Sequence, residues 1–283
     1  FSLMNIIFDK TLRFFKRRLK KLSNKSNEEL ICVSLYKGVS IFYEIRKIAF
    51  IENKLIHSGI HSENILDLVD KFLKPDTTFL DIGANIGTIT QPIALKWKSS
   101  GVEVHSFEAS KRIFKNLNSN IILNNITNVI SHNLAVTNFD GTLTFYEVSE
   151  DSDNNGLSST FDNGDIVDAQ ENEVQAIKID SISDQFKKPI SVIKIDVQGA
   201  ELNVLKGSLQ IIKRDRPMVI FEHEDRYHKN SAEVKKEIIH FFDSLHYKIY
   251  RVDSDKPNSF YKENFKGYTE TNLIAVPSAP ALS

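Results

Sequence analysis

The sequence predicts an α/β fold: a mostly parallel sheet with helices on both faces, a β-hairpin and loop insertion, and an N-terminal helix. Three observations predict it. From residue 64 onward, short apolar runs alternate with amphipathic stretches, the pattern of strands joined by crossover helices. One run, residues 78–82, leads into Gly83-Ala84-Asn85-Ile86-Gly87 and then a helical stretch, a strand–turn–helix junction. The chain has 283 residues, 41% hydrophobic and 26% charged, which suffices to bury a core without staples.

Composition removes several classes. A single cysteine, Cys32, excludes a disulfide framework, a Cys-rich zinc module and an iron–sulfur cluster, and is compatible with a reducing compartment. No apolar run approaches the ~18 residues of a membrane span. The net charge of −1 gives no global pull toward nucleic acid. The expectation is a cytoplasmic protein, with peripheral contact to a membrane surface left open by its basic beginning.

The elements follow in order. Met4 reads as the native start, and residues 1–3 and 278–283 are set aside as foreign ends. Met4, Phe8, Leu12, Phe15, Leu19 and Leu22 fall on one stripe of a helix over residues 4–22. Lys10, Arg13, Lys16, Arg17, Arg18, Lys20, Lys21 and Lys25 make this segment basic and interrupt any signal-peptide core. Such a helix packs on its own domain or a second subunit, or lies on an anionic surface. Residues 4–62 thus form a basic helix with a lead-in, and residues 63–277 the α/β domain.

Within that domain, a helix over 64–73 stops at Lys74-Pro75-Asp76. Strand 78–82 precedes the glycine loop and a helix over about 88–98. Strand 102–107 ends at Glu108, a helix covers about 111–124, and residues 129–136 read as a third strand. An insertion over 138–189 carries a hairpin from 141–148 and 173–179. Residues 147–173 hold nine acids and no Lys or Arg; Asn154-Asn155-Gly156 and Asp162-Asn163-Gly164 mark a mobile loop or lid. Residues 191–195 form a fourth strand, followed by a helix over about 200–212. Residues 217–221 form a fifth, ending at Glu222-His223. A helix near 232–245 leads to late strands 248–252 and 273–276, expected to pair antiparallel.

Ligands of open α/β sheets bind where loops leave the carboxyl ends of the strands. Gly83 permits close ligand approach, and Gly87 permits tight helix–strand contact. In a nicotinamide-binding G-x-G-x-x-G loop the middle position is glycine; here it is Asn85. Asp81 just before the loop repels a pyrophosphate and suits a cation such as a methionyl amino group. Glu108, 21 residues after Gly87, is placed to accept both ribose hydroxyls. S-adenosylmethionine (SAM) is therefore favoured over a dinucleotide. Its binding positions are Asp81, Gly83, Ala84, Asn85, Gly87, Glu108, Ala109, Ser110 and Asp196.

Here the sequence resembles the FkbM family of SAM-dependent methyltransferases, over roughly residues 63–277. The resemblance rests on Phe79-Leu80-Asp81-Ile82-Gly83-Ala84-Asn85-Ile86-Gly87, Phe107-Glu108-Ala109-Ser110 and Ile193-Lys194-Ile195-Asp196-Val197-Gln198-Gly199-Ala200-Glu201. Val204-Leu205-Lys206-Gly207, Ile220-Phe221-Glu222-His223 and Asn272-Leu273-Ile274-Ala275-Val276 add to it. Gln198 stands where the family usually has Glu, and Ala109 where it usually has Pro. The resemblance implies a class I, Rossmann-like methyltransferase fold and O-methylation, often of sugar hydroxyls in glycans or glycosylated metabolites.

A hydroxyl acceptor needs a base during attack on a sulfonium methyl. Asp196 and His223 end neighbouring strands, so His223 is expected as base and Asp196 as the group orienting the acceptor or the histidine. Lys194, inside an apolar strand, is expected to be buried and paired with Glu222 or Glu201. Asp196, Glu201, Glu222 and His223 can offer ligands to Mg²⁺ or Ca²⁺, although no spacing requires a divalent metal. Cys32 precedes the domain, which argues against thiol-based cytosine methylation. Nucleic acid is not the expected partner, because the acidic insertion opposes phosphates. A 2′-O RNA methyltransferase and a SAM-binding module without turnover are the alternatives. A homo-oligomer stays open.

Overall fold

A computed structural model describes residues 30–45, 50–148, 169–228, 230–252, 260–262 and 270–278. The expected helix over 4–22 and most of the acidic run 147–173 lie outside the described residues.

The domain is built on an eight-stranded sheet. Its parallel core comprises β3 (Thr78–Ile82), β4 (Glu103–Phe107), β5 (Val129–His132), β9 (Ile190–Ile195) and β10 (Met218–Glu224). Beyond β10 lie β13 (Glu270–Pro277), β11 (Tyr247–Val252) and β12 (Phe260–Lys262), each antiparallel to its neighbour. The order β12-β11-β13-β10-β9-β3-β4-β5 places the reversal of strand order between β3 and β9, where such sheets bind ligands. The late strands pair antiparallel as expected, with β12 an unforeseen addition.

Both sheet faces are covered, so β3 is buried at every position and shows no polar alternation. Side chains still alternate between two cores. Phe79, Val192, Met218 and Ile220 face α1 (Phe50–Ser58), α2 (Glu63–Phe72), α3 (Thr90–Trp97) and α4 (Lys111–Leu123). Leu80, Ile193, Val219 and Phe221 face α5 (Glu201–Gly207), α6 (Leu209–Asp215) and α7 (Ser231–Ser244). This phase decides which strand-end groups reach the ligand side.

Three expectations change. The strand read over 129–136 is two strands: β5 stays with β4, while β6 (Ala135–Val136) turns away to join the insertion. At the break, the Asn133 amide donates to the carbonyls of Glu108 and Ala109 at 2.9 and 3.0 Å, diverting the chain. In the insertion β7 (Gly141–Val148) pairs antiparallel with β8 (Ala169–Ile177), the expected hairpin with a longer second strand. The single helix read over 200–212 is divided at Ser208, where Asp180 accepts from the backbone amides of Gln210 and Ile211 and so starts α6 afresh. The third change is an unread N-terminal hairpin, β1 (Leu30–Tyr36) with β2 (Val39–Ile45), turning at Lys37-Gly38, both at positive φ. Asn124 and Asn120 accept from the Phe42 and Glu44 amides, so β2 is stitched to the end of α4.

Candidate active site

A cavity of about 1340 Å³ opens above the carboxyl ends of β3, β4, β9 and β10. Gly83, Ala84 and Asn85 form its floor, and Glu108 and Ala109 one wall. Lys194, Asp196 and Glu222 lie opposite, and the α1–α2 connection and β6 and β7 close the rim.

The floor is held by backbone geometry. Gly83 has φ +76°, and a Cβ there would lie 1.9 Å from the Asp196 carbonyl oxygen. The N–H groups of Gly83 and Ala84 both donate to the Phe107 carbonyl, tying the loop to β4. Asn85 stands at φ +51° in the left-handed region that asparagine tolerates. Its own carboxamide oxygen accepts from the Ile86 amide at 2.8 Å. Gly87 serves packing: a Cβ there would press on Gln91 and Leu117 of the flanking helices, each at 2.8 Å.

Glu108 is 7% exposed, yet its carboxylate sits on the cavity wall. One oxygen accepts from the Asn85 amide and the other from the Ser110 amide, both at 2.9 Å. Burial pushes its pKa up to about 7, against the pull of those two amides. Each oxygen keeps a second lone-pair direction for donors such as vicinal hydroxyls. That chemistry fits the ribose of an adenosyl cofactor. Ser110 itself does not line the cavity; its hydroxyl caps α4 by accepting from the Ile113 amide.

Asp81 is also set back from the cavity, fully buried, accepting from Thr90 Oγ1 at 2.6 Å. The cation it meets belongs to the protein. Lys194 Nζ lies 3.3 Å from Asp81 and 3.5 Å from Asp196, and donates to the Gly83 carbonyl at 2.9 Å. This corrects the expected pairing with Glu222 or Glu201: Asp81 and Lys194 are register partners on adjacent strands, on the same face. Burial acts to lower the lysine pKa, but the two carboxylates outweigh it and the net shift is upward.

Glu201 organises the Asp196–Ala200 turn. Its carboxylate accepts from the Gly199 and Val197 amides, folding the loop around the start of α5. Burial raises its pKa to about 7. Gln198 and Gly199 both take positive φ in this turn.

His223 is placed otherwise than expected. It is wholly buried on the α7 face, stacked on His228 with ring centroids 5.0 Å apart, and does not line the cavity. Its Nε2 lies 3.3 Å from both Ser231 Oγ and Asp225 Oδ1. Burial, then His228 and Lys235, lower its pKa to about 4. Alternation along β10 is the cause: Ile220, Glu222 and Glu224 share the cavity face, and His223 takes the opposite one. The trio Asp196, Glu222 and His223 is thereby split, and among the described residues no group of three or more His, Cys, Asp or Glu side chains is arranged to hold a metal.

Among the cavity residues, His61, Glu224 and Arg226 were not read from the sequence, and Asn272 only as part of a family motif. Asn272 pairs in register with Glu222, and Arg226 is ion-paired with Glu224. His61 precedes α2, its Nδ1 2.9 Å from Ser62 Oγ. Ser62 holds φ +52°, a left-handed conformation for a residue with a side chain. Burial, then Lys54, lower the His61 pKa to about 4, with Asp196 opposing.

The family model described as Methyltransferase FkbM domain matches residues 81–249. Methyltransferase 1 of Beauveria bassiana is 28% identical over 176 residues, 56% of this chain and 68% of that protein. The crystal structure of methyltransferase FkbM from Methylobacillus flagellatus KT is 14% identical with a TM-score of 0.44. The match covers 80% of this chain and 52% of that one, so this chain spans about half of its length. A Streptococcus mutans structure in complex with SAH is 11% identical, covers 75% of this chain and 95% of that one, and has a TM-score of 0.42.

Proposed function

Since the chain belongs to the FkbM methyltransferase family, it is a SAM-dependent methyltransferase, and from that premise we propose that the accepting atom is a hydroxyl oxygen of an uncharged, sugar-like molecule. The supporting observation is the charge of the cavity wall. Glu63, Asp67, Glu108, Asp196, Glu222 and Glu224 line it, against the cations Lys54, Lys194 and Arg226. Such a lining disfavours a phosphate-rich acceptor and offers carboxylates that accept from hydroxyls.

SAM, when bound, supplies an electrophilic methyl on a sulfonium. Glu108 would hold its ribose hydroxyls and the Gly83–Asn85 backbone its floor. Alignment of donor and acceptor is the protein's main task in a displacement of this kind. His61 occupies the place on the cavity wall expected of His223. Burial and Lys54 outweigh the Asp196 carboxylate and lower its pKa to about 4, so the imidazole is neutral at pH 7 and takes a proton only as a weak base. Ser62 fixes the ring through Nδ1.

Two measurements check this reading. Glu108→Ala is expected to weaken SAM binding in calorimetry by roughly ten- to a hundredfold, the worth of hydrogen bonds to a charged acceptor; unchanged affinity removes Glu108 from the site. With methyl-labelled SAM, methyl glycosides and oligosaccharides are expected to take label and a short RNA is not. His61→Ala is expected to lower that turnover by about a hundredfold or more while SAM affinity stays near wild type. Labelling of RNA alone overturns the acceptor assignment, and undiminished His61→Ala turnover overturns the base.

A further inference from the structure

The insertion reaches the cofactor side of the cavity along β7. Phe145 and Glu147 are two residues apart and so share one face of that strand. Phe145 is buried on the cavity wall, while Glu147 lands at the start of α4. There its carboxylate accepts from the Ser110 hydroxyl and lies 3.5 Å from Arg112 Nε. Its other oxygen accepts from the Asn172 amide of β8 at 3.1 Å.

Ser110 passes this contact on to the site. Its hydroxyl accepts from the Ile113 amide at 3.1 Å, and its own amide donates to Glu108 Oε1 at 2.9 Å. A chain of hydrogen bonds thus runs from β8 through Glu147 and Ser110 to Glu108. The remaining bond to the Glu108 carboxylate, from the Asn85 amide at 2.9 Å, comes from the glycine loop. Glu108 is therefore clamped between the cofactor loop and a residue that the insertion holds. Two charged side chains act on it: Lys194 on β9 favours its ionisation, and Glu147 on β7 opposes it. An anchor for the hairpin alone needs no more than Arg112; Glu147 in addition fixes the residue whose amide aims Glu108.

We infer that Glu147 is a positioning residue for the cofactor: by holding Ser110 it sets the Glu108 carboxylate against the ribose hydroxyls, so that the seating of the insertion and SAM binding reinforce each other. The inference rests on the reading of Glu108 as the ribose-binding group. Glu147 does not line the cavity, and its effect passes through Ser110.

Calorimetry of the full chain with S-adenosylhomocysteine, which carries the same ribose, tests it between about pH 5.5 and 8. At the upper end Glu108 is ionised in every variant, and Glu147→Ala is expected to weaken binding by about tenfold. Glu147→Gln keeps an oxygen that accepts from Ser110 and is expected to bind there within about twofold of wild type. Wild-type affinity is expected to fall as the pH drops through about 7, where Glu108 takes up a proton. Both substitutions remove a negative charge beside Glu108, so in both variants this fall moves to lower pH. Glu201 titrates in the same range but is common to all three proteins, so the displacement reports Glu147. If Glu147→Ala does not fold, the midpoint of Glu147→Gln decides. Equal losses in the two variants with an unmoved midpoint mark a packing role and overturn the inference, as does wild-type binding by Glu147→Ala. Glu108→Ala, measured alongside, separates the two failures. Weakened binding there with unaffected Glu147 variants overturns the role of Glu147 alone; unaffected binding there overturns the ribose reading and this inference with it.

Discussion

Lys194→Met is expected to destabilise the fold by about 3–5 kcal/mol, the usual consequence of removing one partner from a buried ion pair. The reason is its place in the sheet. β9 lies at the centre, and the lysine rises between Asp81, fully buried on β3, and Asp196 at the end of its own strand. Methionine fills a similar volume but leaves the Asp81 carboxylate with Thr90 as its remaining hydrogen-bond donor. It also removes the bond to the Gly83 carbonyl, so the cofactor loop loses a tie to β9. Thermal melts at neutral pH are expected to fall by roughly 10 °C. Asp81→Asn made together with Lys194→Met removes the uncompensated charge, so the double variant is expected to recover part of the loss, a coupling read from the double-mutant cycle. A Lys194→Met melt within a degree or two of wild type sinks the assignment.

The same cluster shows what the sequence could reveal and what it could not. Thr78–Ile82 and its glycine loop were legible because a buried strand followed by Gly and Asn has few other readings. Glu108 was legible from its place at the end of the next strand. The partner of Lys194 was not, since register between β3 and β9 is a tertiary property linking residues over a hundred positions apart. The face of His223 was illegible for a related reason. β10 is covered on both sides, Val219, Ile220 and Phe221 are all apolar, and no polar alternation marks the phase. One residue of phase decides whether a histidine or its neighbouring glutamates meet the ligand. His61 carries no local signal, because the α1–α2 connection reaches the cavity only through tertiary packing.

The hairpin failed in the opposite way. Lys37-Gly38 between two apolar runs is a readable turn, and both runs alternate, but apolar residues occupy both faces. The usual inference that the more apolar face is buried would have inverted β1, although on β2 it holds, with Ile41 and Tyr43 buried and Ser40 and Glu44 outward. Cys32, Ser34 and Tyr36 turn inward, and Tyr36 and Lys37 reach Asp67 on α2, so polar anchors at the hairpin end accompany the inward face.

Gly83→Ala carries the other large expected effect, and comparison with Gly38→Ala isolates its cause. Both glycines hold positive φ, +76° and +86°, so alanine at either position adopts a backbone that L-residues disfavour by ~1–2 kcal/mol. At Gly38 nothing lies within 4 Å of the added methyl, and that conformational penalty is the whole expected loss. At Gly83 the methyl would sit 1.9 Å from the Asp196 carbonyl oxygen, a backbone atom in a turn already fixed by Glu201 and by the Asp196 amide donating to the Ile82 carbonyl. Relief requires the loop to leave β9, which breaks the Lys194 bond to Gly83 and displaces Asn85 from Glu108. Gly83→Ala is therefore expected to lose stability by about 2 kcal/mol or more beyond Gly38→Ala, within the range for overpacking a rigid site. It is also expected to weaken SAM binding in calorimetry by about a hundredfold, whereas Gly38→Ala leaves that affinity unchanged. Equal losses of stability in the two variants, with SAM affinity retained in both, would show that the loop and the end of β9 do not meet as described.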